Sequence, residues 1–236
     1  KFQKLTLPIP PLAEQKRIVT KLDQLMPLVD KYAEAYDKLK KLDDGFNDKL
    51  KQSLLQYAME GKLVKQDPND EPASVLLEKI AEEKAHLIKE KKIKRTKKLP
   101  EITDDEKPFK IPDSWEWVRL GDLSTVLNGD RGKNYPGKRY WINDGVPFVN
   151  AGALGSKLIN KAALNYISDE RFKLLRAGFI KQNDLLYCLR GSLGKIAISN
   201  INKGAIASSL AIIRCFDKNM VTYLFWLLKS PISKQY

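Results

Sequence analysis

The stretch PLAEQKRIVTKLDQLMPLVDKYAEAYDKLKKLDDGFNDKLKQSLLQYAMEG (11–61) carries one apolar rhythm from end to end. Ile18, Leu22, Leu25, Val29, Tyr32, Tyr36 and Leu39 follow one another at steps of 4, 3, 4, 3, 4 and 3, the spacing of a coiled-coil helix. The rhythm continues through Leu42, Phe46, Leu50, Leu54 and Tyr57, where extra steps of four form a stutter that straightens a supercoil. Pro11 suits the first helical position, where a missing N–H costs nothing, and Glu14 sits in the first turn against the helix dipole. Gly61 is the expected stop. Pro27 removes one backbone hydrogen bond, which predicts a kink or short break between Asp23 and Pro27.

A helix of ~50 residues is ~75 Å long, whereas a globular domain of ~125 residues is ~30 Å across. Most of the stripe must therefore meet a second long helix, from missing sequence or from another chain. Its expected contact residues are Ile18, Leu22, Leu25, Val29, Tyr32, Tyr36, Leu39 and Phe46. A homodimer through this helix is one way to cover them.

Composition sets the wider bounds. The chain has 236 residues, 43% hydrophobic and 30% charged, which suits a folded, water-exposed protein. No apolar run approaches the ~18 residues of a membrane span, and the start shows no apolar secretory segment. The missing initial Met points to a fragment. Two cysteines, Cys188 and Cys215, are too few for a disulfide scaffold, so a cytoplasmic location is expected. With His86 as the lone histidine, no zinc cluster is expected. The net charge of +13 favours polyanionic partners. It is concentrated in residues 111–236, with 18 basic against 9 acidic side chains, whereas residues 1–60 hold 11 against 9.

Residues 62–110 read as a charged linker with a short helix. Turn chemistry fills 65–72; a helix then runs from Pro72 to about Lys92, with Val75, Leu76, Ile80 and Leu87 or Ile88 on its apolar face. The basic run 89–98 reads as a solvated helix end entering a flexible connector, ahead of DNA-backbone contact. Prolines 100, 108 and 112 mark a boundary near residue 110.

Residues 111–236 read as a β-rich α+β domain. Strands are expected over 115–120, 123–127, 146–150, 184–189, 195–199 and 205–215, with helices over 169–176 and 220–229. The loop NGDRGKNYPGKRYW (128–141) brings Arg131, Lys133, Lys138, Arg139 and Tyr140 together on glycine-bearing backbone, alongside Tyr135 and Trp141. Such side chains suit phosphate and base contacts. A second loop, RGSLGK (190–195), presents Arg190, Ser192 and Lys195 between two strands. Asn150, at a strand end, joins these as a candidate contact, and Ser208 and Ser209 are small polar candidates.

No catalytic constellation accompanies them. Gly132-Lys133 and Gly194-Lys195 lack the earlier glycine of a phosphate-binding P-loop, with Leu127 and Leu189 in its place. No G-x-G-x-x-G is present, and no His or Cys is placed to activate a serine. Asp70, Glu82 and Lys84 mimic a nuclease metal site only as a chance match in a charged helix. A recognition or scaffold role is favoured over an enzyme; a coiled-coil adaptor whose basic domain binds RNA is the alternative.

The motifs LPIPPLAEQKRIV (7–19), QDPNDEPA (66–73), IPDSWEWVRLGDL (111–123) and RGSLGKIA (190–197) together resemble the DNA specificity subunits of type I restriction–modification systems. The first resembles that family's conserved helix entry, the next two its connector and the opening of a second target recognition domain, and the last a hairpin that recurs in such domains. The resemblance implies that residues 1–10 end a preceding recognition domain, 11–61 form the conserved long helix, and 111–236 form part of the second recognition domain. It also implies double-stranded DNA, modification subunits and a restriction subunit as partners. Methyl transfer from S-adenosylmethionine to adenine would fall to the modification subunits, with no cofactor in this chain. A second conserved helix, antiparallel to the first, is expected to be missing.

Overall fold

The heptad stretch folds as one uninterrupted helix, α1 (Leu12–Met59), in a computed structural model that describes residues 11–234. The expected strand end at residues 1–9 lies outside the described residues. The chain divides into two units, residues 1–51 and 52–236, and among its described residues the first contains nothing but α1 and its entry. The break expected between Asp23 and Pro27 is absent, since the helix passes through Pro27. Proline fixes φ near the helical value and deletes a single i→i−4 bond. Here every residue from Lys16 to Pro27 is exposed, so water reaches the freed carbonyl of Asp23. The helix closes as expected at Gly61, where φ is 71°; the Lys62 N–H donates to the Tyr57 carbonyl at 3.0 Å.

The second unit begins with the last residues of α1, where Met59 is buried. Helix α2 (Ala73–Lys89) belongs to this unit and is not part of a free connector. Its Ile80 joins a core cluster with Leu185, Ile196 and Ile213, and Leu77 packs against it. Leu76, expected on the apolar face, is exposed instead. Spacing alone fits either leucine, and tertiary docking decides the rotation, of Ile80 into the core and of Lys84, whose ammonium donates to the Gly121 carbonyl at 3.0 Å and to Asp122 at 3.1 Å. The helix ends at Lys89 rather than Lys92, because Lys91 turns to φ 59°.

Beyond the basic run the chain returns along the unit. The side chain of Arg119 ties it down, donating to the carbonyls of Pro100 and Glu101 and, through both terminal nitrogens, to Glu106 at 2.6 and 2.7 Å. Residues 115–119, expected as a strand, form none. Trp117 stacks obliquely on Phe109 at 5.2 Å, so the alternation serves contacts with the returning segment rather than a ladder. Helix α3 (Leu120–Leu123) follows.

Two sheets make up the rest. The first is antiparallel, in the order β1 (Ser124–Asn128), β7 (Leu210–Cys215), β4 (Leu185–Cys188), β5 (Ile196–Ile198). The second has the order β3 (Asn165–Ile167), β2 (Val146–Val149), β6 (Ala205–Ile206), with β2 and β6 parallel. Strand alternation sorts side chains between layers. Leu186, Cys188, Ala197 and Ile212 join Val149 and Ile206 in a core shared by the two sheets. Leu185, Ile196, Ile198 and Ile213 face the other way, toward Ile80 of α2 and toward Leu224 and Phe225 of α5 (Val221–Lys229). Phe148 and Ile167 form a third cluster, against which Phe172 of α4 (Asp169–Lys173) and Tyr135 and Trp141 pack. Burial on both faces explains why β4 and β7 are nearly continuous apolar runs.

The Glu106–Arg119 pair carries a pH prediction. The Arg119 guanidinium, helped by the Thr103 backbone N–H, holds the Glu106 carboxyl well below its usual value, at about 2. A carboxylate depressed on folding contributes stability that is present above its unfolded pKa and is lost as pH falls through the folded one. Amide-exchange protection of residues 100–107 should therefore weaken between pH 4.5 and about 2. Glu106→Gln should remove that dependence.

Candidate nucleic-acid interface

The strand registers gather several loops at one end of the sheets. β1 ends at Asn128, opposite Ala211, and β4 ends at Cys188, opposite Leu210. The loops that follow β1 and β4 therefore leave from the same rim, where β7 begins. The Leu189 N–H donates to the Ser209 carbonyl at 2.8 Å, which holds the base of the 190–195 hairpin beside residues 207–209. β2 ends there too: Val149 pairs with Ile206, and the Ala207 N–H donates to the Val149 carbonyl at 2.8 Å. Asn150 follows, its side-chain oxygen accepting the Gly152 N–H at 2.9 Å.

The loop after β1 is seated by two features. Gly129 runs so close to the 206–207 backbone that a Cβ would stand 2.7 Å from the Ala207 oxygen. Asp130 is buried, and its carboxylate accepts the Gly132 N–H at 2.6 Å and the Arg176 N–H at 2.8 Å. These two N–H groups hold its pKa below the ordinary value. The acid thus spends its hydrogen bonds on backbone N–H groups, and the Arg176 charge attracts it without forming an ion pair. Arg131, Lys133, Arg176, Arg190 and Lys195 are exposed, and none forms an ion pair among the described residues. The paired cations Lys84, Arg119 and Arg214 instead hold structure within the unit, while Lys203 meets Asp169 at the surface. Exposed, unmatched positive charge on loops is what phosphate binding needs.

The expected site residues divide. Arg131, Lys133, Asn150, Arg190, Ser192 and Lys195 lie on loops that leave this rim. Lys138, Arg139 and Tyr140 stand farther along the same loop, in a short turn, with Lys138 and Arg139 exposed and in no ion pair among the described residues; just beyond them the chain is pinned, the Trp141 indole donating to the Pro136 carbonyl at 3.0 Å and Ile142 bridging to Tyr166. Tyr140 is covered by two guanidinium groups, Arg171 at 3.8 Å and Arg139 at 4.8 Å from its ring centre. Tyr135 and Trp141 pack against the core.

Three residues escape the linear reading. Arg176 and Arg171 reach the loop only through the fold, and no local pattern marks them. Leu193, at the hairpin tip, did carry a signal, as an apolar residue between turn glycines. Lys84, weighed as a nuclease residue, is engaged with Gly121 and Asp122. Burial, with the Asp184 carboxylate adding to it, pushes the Cys215 thiol up to about 11, far from a reactive thiolate. Among the described residues, no cluster of three His, Cys, Asp or Glu side chains is disposed to hold a metal, and no helix is long and apolar enough to cross a membrane.

No protein-family model matches the chain. Among curated proteins, it is 35% identical to the type I restriction enzyme EcoAI specificity subunit of Escherichia coli, over 80% of this chain and 38% of that protein. It is 39% identical to the EcoEI specificity subunit of the same organism, over 56% of this chain and 28% of that protein. The chain thus spans well under half the length of these relatives. Among solved structures, it aligns with the HsdS subunit from Thermoanaerobacter tengcongensis over 97% of this chain and 43% of that one, at 19% identity and a TM-score of 0.45.

Proposed function

This chain is a relative of the type I restriction enzyme specificity subunits, spanning part of their length, and on that footing we propose that it selects the DNA sequence on which partner subunits act. The observation that carries this reading is the loop-built rim of unmatched cations in the second unit. The rim meets phosphates through Arg131, Lys133, Arg176 and Lys195, and base edges through Arg190, Ser192 and Asn150. The chain itself catalyses nothing. S-adenosylmethionine and methyl transfer belong to modification subunits, cleavage to a restriction subunit, and the whole assembly works in the cytoplasm.

Helix α1 serves as docking element and spacer. Its 48 residues extend ~72 Å, about 20 base pairs at ~3.4 Å each. All eight expected contact residues are exposed, from Leu25 at 41% to Tyr32 at 72%. An apolar stripe so placed favours a second long helix, from a modification subunit, a companion segment or another copy of this chain.

Methylome sequencing of the source cell with and without this chain tests the proposal. One bipartite adenine motif should disappear; persistence of every motif would reject it. Duplex affinity should fall with salt at a log–log slope of roughly −0.9 per phosphate contact. Single-stranded RNA competing as well as the target duplex would favour the adaptor role instead. Arg190→Ala should cost ~1–3 kcal/mol at one base position. Equal loss on every duplex would reassign Arg190 to a phosphate.

A further inference from the structure

We infer that Leu193 is an apolar reading contact, which the hairpin tip presses against base edges in a DNA groove beside those met by Arg190, while Lys195 holds a neighbouring phosphate. The inference rests on the DNA-recognition reading above and adds to it a residue that is not a cation or hydrogen-bonder.

Leu193 is 73% exposed, the most exposed large hydrophobic side chain among the described residues. Its position follows from a built turn. The Lys195 N–H donates to the Ser192 carbonyl at 3.2 Å, closing a four-residue turn with Leu193 and Gly194 at its centre. Gly194 at φ 78° and Gly191 at φ 82° take the left-handed conformations that such a reversal requires. A Cβ added to either glycine would meet nothing within 4 Å, so the tip stands in open solvent. Below it the hairpin is fixed: the Cys188 N–H donates to the Lys195 carbonyl at 2.8 Å, and its thiol donates to the Arg190 carbonyl at 3.1 Å. Leucine at this place is mostly in water and is not a member of any core cluster.

Its surroundings specify the occupant. Arg190, Lys195 and Arg131 make the rim cationic, which disfavours an apolar patch on a basic partner and fits a polyanion. Between two phosphate rows, a DNA groove offers the apolar surfaces that a leucine needs: thymine methyl groups, sugar faces and base edges. Cations set the register of such a contact, and the apolar side chain discriminates within it.

The test uses complexes isolated from the source cell through a tag on this chain, bearing wild-type sequence, Leu193→Ser, Leu193→Met or Lys195→Ala. The probes are a duplex with the motif identified by methylome sequencing and a duplex with that motif scrambled. Leu193→Ser should bind the motif duplex about tenfold more weakly, as for loss of one buried leucine, with the scrambled duplex and the salt slope unchanged. Leu193→Met should retain binding. Lys195→Ala should weaken both duplexes and make the slope shallower by about 0.9. The inference is overturned if Leu193→Ser binds the motif as wild type does, loses both duplexes equally, or loses its modification subunits, which would make the tip a protein contact. A wild-type complex that does not prefer motif to scramble would overturn the DNA-recognition reading as well, and is told apart by that control alone.

Discussion

Asp184→Ala is expected to destabilise the second unit by about 3–5 kcal/mol, with a large fall in its urea midpoint. Asp184 is 2% exposed, and its two carboxylate oxygens accept the Arg214 Nε and Nη2 hydrogens at 2.7 Å each. One of them also accepts the Lys181 N–H at 2.6 Å. Arg214 donates onward to the Phe179 carbonyl, so this acid at the head of β4 ties β7 to the turn over 179–184. Alanine strands a half-buried guanidinium and a backbone N–H without their acceptor. Breaking a buried pair in this way costs about 3–5 kcal/mol, a large part of the ~5–15 kcal/mol that holds a domain together. The companion experiment separates charge from shape. In Asp184→Leu with Arg214→Met, no charge is left stranded, and replacing both partners with apolar groups is often neutral or stabilising. The double variant should therefore exceed Asp184→Ala in urea midpoint. A single variant that unfolds with the wild type would show that the pair contributes nothing.

The parts of this fold legible in the residues are those whose pattern and burial coincide. β4, β5 and β7 are short apolar runs bounded by turns, and they are strands because both of their faces are covered. Helix α1 is legible because its period persists over eleven steps and no neighbour overrides it. Residues 115–119 misled for the opposite reason. Trp115, Trp117 and Arg119 alternate as a strand does, yet Trp117 and Arg119 find their partners on the returning chain at 100–109, which no periodicity announces. Leu76 and Leu77 are one position apart on the same helix, and it is tertiary docking, of Ile80 into the core and of Lys84 on Gly121, that turns Leu77 inward. At the rim, the loops were visible as glycines among cations. Their convergence was not, because it comes from the registers of β1, β4 and β7. The pinning of 140–142 hides in the same way, set in part by the Arg171–Tyr140 stack, whose members stand 31 positions apart.

The largest effect on assembly is expected from charging the stripe of α1, with Leu25→Glu and Tyr36→Glu together. Both residues lie in the first unit, so the globular unit should unfold at its unchanged midpoint. In an assembled helix pair each would be buried, and burial of one such side chain stabilises by about 1.5–3 kcal/mol. The variant forfeits that twice and also requires two carboxylates to leave water unpaired, at several kcal/mol each. Every ~1.4 kcal/mol is tenfold, so association should weaken about a thousandfold or more. Gln24→Glu, an exposed position outside the stripe, should leave association intact. Light scattering on the isolated chain, and recovery of modification subunits with the tagged chain, then distinguish the partners. Loss of chain dimers alone assigns the stripe to a second copy. Loss of modification subunits, together with the cell's bipartite methylation motif, assigns it to docking. Assembly as strong as the wild type in both measurements would show that α1 is covered through some other face, and would remove the physical basis for treating it as a spacer between recognition sites.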